Sequence, residues 1–477
     1  MKPAKPVLLI AMLAAAAITA SSYAAAATPA LAASKVTVDN QAKCSSSAFK
    51  IRIERELAGY ADVVGIPGIS IGIVASDSLV VTASVGYANK AERRAASPDT
   101  LYNVASVTKL FTGTLALILS EEGVISLDAP ISIYLPKTVR MPVDAAGGEV
   151  TIRHLLSHTA GLPKDPPNRR NVDTHGPIDP RVWDTYSVKD LYAALPATTL
   201  KGKVGEHFEY SNYGYALLGH VLERAGGAPY ESLLRKRVLA PLGMSDTAVR
   251  LSPEQAQRLA AFYWSEDPDR LEQEVHARYG EVAAFIGLTS SVRDIAFFVA
   301  AHLQRDVEKS NPIPLSVRAL MAKPRTEVYA DPMFRTEIGL GWFRETRLDN
   351  GTVILYHTGE VDGHAAGLYL DPALGIGIVV LQNLGGDAGN QGIDQVGHWL
   401  LEAATSEMRN ATGCSGLLPT RDMDLKQRPN NSFKGNADVP GFQTCIRRRV
   451  PLTQALGAIH LTYCIRLAYL LTFANAV

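Results

Sequence analysis

A chain of 477 residues, 47% of them hydrophobic, is long enough for two packed parts and appendages around a sizeable core. Its 47 Lys and Arg balance 47 Asp and Glu, and no basic patch with interleaved aromatics stands between residues 40 and 405, so no nucleic-acid partner is expected. Lys2 and Lys5 precede the apolar run Val7 to Ala20, and Ala30-Leu31-Ala32 follows with the small residues a signal peptidase reads. Residues 1–32 are therefore expected to be a cleaved signal peptide, and the mature chain to be periplasmic or secreted.

Ala48 to Tyr60 carries Phe49, Ile51, Ile53 and Leu57 at helical spacing, which predicts an amphipathic helix. The period then changes to the β-branched runs Ile69 to Val74 and Leu79 to Val85, joined by the turn residues Ser76-Asp77-Ser78. A helix is expected from Ser106 to Gly123. From about 128 to 285 the pattern is one of helices and loops, with helices at His154 to Leu156, Val188 to Ala194 and Tyr213 to Ala225. Within it, Pro163 to Asp184 lacks any apolar period, and such a segment in an enzyme more often borders a site than fills space. A helix is expected near Ser291 to Leu303, strands at Val353 to His357, Ala366 to Leu370 and Ile376 to Gln382, and a last helix near Val396 to Ala403. Strands at both ends with helices between predict an α/β chain of α+β type. Its antiparallel sheet is built from both chain ends, flanked by helices and interrupted by a mostly helical insertion at about 128–285. The folded domain is placed at 45–405, with 406–477 as a tail of unassigned role.

That tail contains Arg447-Arg448-Arg449 followed by an apolar stretch interrupted by Gln454, His460 and Arg466; membrane association through it is the lesser reading, because charges at mid-bilayer cost a few kcal/mol. Cys414, Cys445 and Cys464 fall there and Cys44 near the mature start. An oxidising compartment would allow Cys44 or Cys445 to pair with Cys414, but spacing does not choose the partner. His154 and His158 stand four apart on an expected helix, yet the Glu of a His-Glu-x-x-His motif is missing, so neither a metal nor any cofactor is expected.

Ser106-Val107-Thr108-Lys109 opens the apolar run Leu110 to Leu119. Residues three apart on a helix are surface neighbours, so the Lys109 amine can reach the Ser106 hydroxyl, a nucleophile beside its own activator. Two decoys compete with it. Ser47-Ala48-Phe49-Lys50 repeats the spacing without an apolar helix behind it, and Gly68-Ile69-Ser70-Ile71-Gly72 matches a nucleophile elbow. That elbow needs a strand-to-helix turn, whereas Ser70 alternates with isoleucines in a run that continues as strand.

Downstream of Ser106 and Lys109 lie Tyr210-Ser211-Asn212 and then His357-Thr358-Gly359. In that order the three motifs resemble the serine β-lactamase and penicillin-binding-protein superfamily, in particular the branch of class C β-lactamases, D-Ala-D-Ala carboxypeptidases and family VIII esterases. The stretches Thr151 to Pro163 and Pro241-Leu242-Gly243-Met244 look like the same family, and the resemblance covers about Phe49 to Ala404. It implies that Ser106 becomes acylated, that Lys109 and Tyr210 share proton transfer, and that Asn212 orients a substrate amide. It further implies an oxyanion hole from the N–H groups of Ser106 and Glu360, with His357, Thr358 and Gly359 lining the substrate site. Histidine at 357 departs from the lysine usual in class C enzymes and removes a fixed positive charge for a substrate carboxylate. The expected activity is that of a serine acyl-hydrolase on a small-molecule or peptide substrate with an amide or ester carbonyl: a D-amino-acid peptide, a β-lactam or an ester. The alternative is a penicillin-binding sensor or scaffold that acylates without turning over.

Overall fold

The computed structural model describes residues 46–411, apart from 76–77, 170–182, 265–271, 275–278, 305–310 and 362. The expected signal peptide, the four cysteines and residues 412–477 of the tail lie outside the described residues. One antiparallel sheet of nine strands organises the chain. Gly68–Ala75 (β1), Ser78–Asn89 (β2) and Arg94–Ala95 (β3) come from its N-terminal side. Thr326–Ala330 (β4), Phe334–Ile338 (β5), Phe343–Arg347 (β6), Val353–Val361 (β7), His364–Asp371 (β8) and Ile376–Gln382 (β9) come from its C-terminal side. The spatial order is β3-β2-β1-β9-β8-β7-β6-β5-β4, so the two halves of the chain meet where β1 pairs with β9, Ile71 opposite Val380.

Alternation along the central strands sorts their side chains between two cores. Ile69, Ile71, Ile73, Ile378 and Val380 join the core formed with helices Ser46–Val64 (α1) and Gly386–Ala411 (α5). Val74, Val379 and Leu381 face the opposite core, which takes in helices Thr108–Glu121 (α2), Asn212–Gly226 (α3) and Val292–Leu303 (α4). Each such aliphatic side chain contributes about 1.5–3 kcal/mol on burial. Helix α4 lies close on the sheet: a Cβ at Gly377 would stand 2.3 Å from Val299 Cγ1.

Strands from both chain ends, helices on both faces and a mostly helical stretch between β3 and β4 are the architecture that the residue pattern implies. Three details differ. Helix α5 begins ten residues before the expected Val396. The edge strands β4, β5 and β6 have no clear apolar period because cross-strand ion pairs occupy their faces, Arg344 with Glu337 at 3.3 Å and Arg335 with Glu327 at 3.6 Å. The helix expected to carry both His154 and His158 spans only Ile152–Leu156, and His158 sits in the left-handed region at φ 55°. Ser70, by contrast, lies where its strand-like run places it: it is fully buried within β1, its hydroxyl donates to the Ser97 carbonyl at 3.0 Å, and no strand-to-helix turn exists there.

Candidate active site

Ser106 lies in a single 3-10 turn, Ala105–Val107, that feeds directly into α2. The turn is held from several sides. Tyr102–Asn103 pairs with Thr289–Ser290, Val104 N–H donates to the Leu288 carbonyl at 2.9 Å, and Thr108 Oγ1 accepts from Leu288 N–H at 3.1 Å. Ala105 is in the left-handed region at φ 48°, a conformation that costs a non-glycine residue about 1–2 kcal/mol. Its N–H donates to Asn103 Oδ1 at 2.7 Å, and Asn103 N–H donates to His364 Nδ1 at 2.9 Å. The strain is thus fixed by buried polar partners immediately before Ser106.

Helical spacing brings Lys109 under Ser106, with Nζ 3.0 Å from Oγ. The lysine is fully buried. Its Nζ has two other partners, Asn212 Oδ1 at 2.9 Å and the Phe285 carbonyl at 2.9 Å. Aromatic rings of Tyr210, Phe285 and Tyr215 lie 4.9, 5.4 and 5.7 Å from it. Burial holds the amine well below the usual lysine range; the nearby Asp165 carboxylate opposes that, and Lys164 reinforces it.

Tyr210 arrives two residues before α3, on a segment clamped by His158. Glu209 N–H donates to the His158 carbonyl at 2.7 Å, Ser211 N–H donates to His158 Nδ1 at 3.0 Å, and the imidazole stacks on the Tyr210 ring at 4.4 Å. Because Nδ1 accepts, the His158 proton sits on Nε2. Burial, with Lys109 and His357 adding to it, holds His158 well below the ordinary imidazole range, so the ring is neutral. Burial raises the Tyr210 phenol above its ordinary value, and the influence of the Ser106 side chain opposes that only in part. Ser211, not Asn212, caps α3, its side chain accepting from Gly214 N–H at 2.9 Å. That leaves the Asn212 amide free to turn inward, with Oδ1 on Lys109 and Nδ2 donating to Asp165 Oδ1 at 3.1 Å.

The third motif forms the wall. Strand β7 passes so close to the Ser106 turn that a Cβ at Gly359 would stand 2.6 Å from both Ser106 N and the Val104 carbonyl oxygen. Only glycine leaves that space open, which brings the backbone of residues 359 and 360 beside the Ser106 N–H. The Glu360 side chain is engaged elsewhere, accepting from Gly386 N–H at 2.5 Å. Thr358 is half-buried. His357 is buried; its Nδ1–H donates to the Thr358 carbonyl at 2.7 Å, and burial plus repulsion from Lys109 lower its pKa to about 3. The ring is therefore neutral and keeps an accepting nitrogen at Nε2.

Ser106, Lys109, Tyr210 and Asn212 thus converge, and Gly359 packs against them. Three contributors escaped the sequence reading. Asp165 stands at the start of the irregular segment expected to border a site, and that lack of period was its only signal. His158 fell in the family-like stretch but was read as one of a histidine pair. Phe285 acts through its backbone carbonyl, which leaves no trace in residue type. The Ser47 and Lys50 pair is exposed on α1, where Lys50 forms an ion pair with Glu54 at 3.4 Å. His154 Nδ1 accepts from Thr151 N–H at 3.2 Å as a helix cap. Chemically, the site offers a hydroxyl between an amine whose charged form burial disfavours and a phenol, beside backbone N–H groups.

Comparison with known proteins identifies relatives of the chain as a whole. The profile of the family described as Beta-lactamase matches residues 53–399. Protein flp of Staphylococcus aureus (strain MRSA252) is 27% identical over 322 residues, covering 67% of this chain and 60% of its own length. The chain therefore spans less than two thirds of that curated relative. The D-alanyl-D-alanine-carboxypeptidase/endopeptidase AmpH of Escherichia coli (strain K12) is 35% identical over 161 residues, 34% of this chain and 40% of its own. Among solved structures, the octameric penicillin-binding protein homologue from Pyrococcus abyssi has a TM-score of 0.62 at 25% identity, over 74% of this chain and 77% of its own. A class C beta-lactamase superposes with a TM-score of 0.60 at 20% identity, over 75% of this chain and 96% of its own, and shares the fold. With residues 53–399, most of its length, matched by the profile, the chain belongs to the Beta-lactamase family.

Proposed function

We propose that the protein is an exported serine acyl-hydrolase that opens amide or ester bonds through an acyl-enzyme on Ser106. The observation that carries the reading is the position of Ser106 Oγ, 3.0 Å from a buried Lys109 Nζ whose other two partners are both acceptors. A neutral amine has two N–H groups and one lone pair. The Asn212 and Phe285 oxygens can only accept, so they take the two N–H groups, and the lone pair is left for the Ser106 proton.

In the proposed reaction Ser106 Oγ attacks the carbonyl carbon as its proton passes to Lys109 Nζ. The oxyanion is met by the N–H groups of Ser106 and Glu360. Collapse expels the leaving group, which takes a proton from Tyr210, and the phenol is resupplied from the Lys109 ammonium. Water then enters and the same relay runs in reverse to free the acid and Ser106. Tyr210 is suited to the donor role because burial keeps it a phenol.

The substrate class follows from His357. An uncharged imidazole whose N–H is already used holds no substrate carboxylate, so esters and amides that need no carboxylate anchor suit the site better than β-lactams. The Escherichia coli relative's carboxypeptidase and endopeptidase name supports an amide substrate as the second class. Ser106→Ala should abolish labelling by a fluorophosphonate or a fluorescent penicillin together with all hydrolysis; retained labelling refutes the assignment. The specificity constant for p-nitrophenyl butyrate should exceed those for a D-Ala-D-Ala tripeptide and a chromogenic cephalosporin, both of which carry a carboxylate. A stoichiometric burst without steady state would favour the sensor reading instead.

A further inference from the structure

Asp165 is a carboxylate at the site to which no catalytic duty falls in the relay above, and its surroundings are specific. Its Oδ1 accepts from Asn212 Nδ2 at 3.1 Å, and its other oxygen, Oδ2, accepts from Arg169 Nη1 at 2.5 Å. The Arg169 guanidinium lies 4.9 Å from the Trp183 ring centroid, Trp183 packs edge-on against Phe285 at 5.1 Å, and the Phe285 carbonyl binds Lys109. The contacts therefore close a ring from Lys109 through Asn212, Asp165, Arg169, Trp183 and Phe285 back to Lys109.

The two ends of an asparagine amide have the same shape and opposite hydrogen-bonding character. With Oδ1 toward Lys109, the amide consumes an N–H of the neutral amine. In the reversed orientation Nδ2 would face Lys109 and donate to its lone pair, the same lone pair that must receive the Ser106 proton. A carboxylate can only accept, so Asp165 admits Nδ2 alone on its side. Resting on the proposed acyl-enzyme reading, we infer that Asp165 is a positioning residue that locks the Asn212 amide so that the Lys109 lone pair is reserved for Ser106.

Asp165→Asn tests this with an isosteric change. Arg169 donates to one end of residue 165 and would favour its new carbonyl oxygen there, turning the new NH2 group toward Asn212 and reversing that amide. The acylation rate, followed by stopped-flow labelling of Ser106, should fall about 100-fold at its pH plateau, the low end of what a positioned general base contributes. The acid limb of the rate should also move to lower pH, because the variant removes a negative charge that raises the Lys109 pKa. The other groups acting on that amine, Lys164, Tyr210, His158 and His357, are unchanged. Adding Arg169→Met should restore part of the rate, since the NH2 group of residue 165 is then no longer directed inward. An unchanged plateau, a loss with an unmoved acid limb, or no recovery in the double variant would each overturn the inference. Labelling of wild-type Ser106 in the same assay separates these outcomes from failure of the acyl-enzyme reading, in which neither protein would label.

Discussion

The two faces of the central sheet are built from the same strands and do different work. Against α1 and α5 the sheet presents isoleucines and valines, and the contacts are those of an aliphatic core. On the opposite side the chain buries a lysine and two neutral histidines, each held by named partners, beside a half-buried tyrosine. Burying polar groups is costly unless each is paired, so the second face is tolerable only as a complete network. Stability can therefore be disturbed on the first face without touching chemistry, and chemistry on the second with little change in fold.

Lys109→Met should break the contrast most sharply. It removes the proposed base while retaining an unbranched stem, and acylation should fall by about 10³-fold or more while far-ultraviolet circular dichroism stays native. A rate within tenfold of wild type would deny Lys109 the role. Gly359→Ala follows, because the added carbon would meet backbone atoms at 2.6 Å that cannot swing aside. It should lower stability by about 1–3 kcal/mol and suppress labelling of Ser106 together. Leu400→Ala, on the fully buried side of α5, should cost about 2–5 kcal/mol in a urea melt while the folded fraction labels at the wild-type rate.

The smallest effect concerns pH. His357 has a folded pKa of about 3, below the ordinary imidazole value, so between roughly pH 6.5 and 3 the unfolded chain binds a proton that the native chain refuses. Stability should fall as pH falls through that window, and His158, lowered in the same direction, adds to it. His357→Gln should flatten the fall in Tm between pH 7 and 4. An unchanged slope would assign the loss to other groups, among them His302, whose pKa burial lowers to about 4.

Legibility in the sequence followed the range of each interaction. Ser106 and Lys109 could be read because one helical turn joins them, and the strands β1 and β9 because both of their faces are buried and apolar. Tyr210 and Gly359 could be placed only by motif order, since their approach to Ser106 depends on the fold. The edge strands β4 to β6 stayed hidden because half-exposed Arg and Glu pairs replace an apolar alternation there. Asp165 and the Phe285 carbonyl were invisible for opposite reasons: one is an ordinary acidic residue in a loop, the other is backbone.

The pairing of β1 with β9 has a consequence in time. Ile71 and Val380 are neighbours in the sheet although more than three hundred positions separate them in the chain, and Ser106 depends on Gly359 in the same way. Long-range closures of this kind form late, because the loop entropy must be met before any contact rewards it. A growing polypeptide whose synthesis has not reached β7 holds its serine and lysine on a helix with no wall beside them. The wall beside Ser106 is therefore completed only when the last strands have joined the sheet.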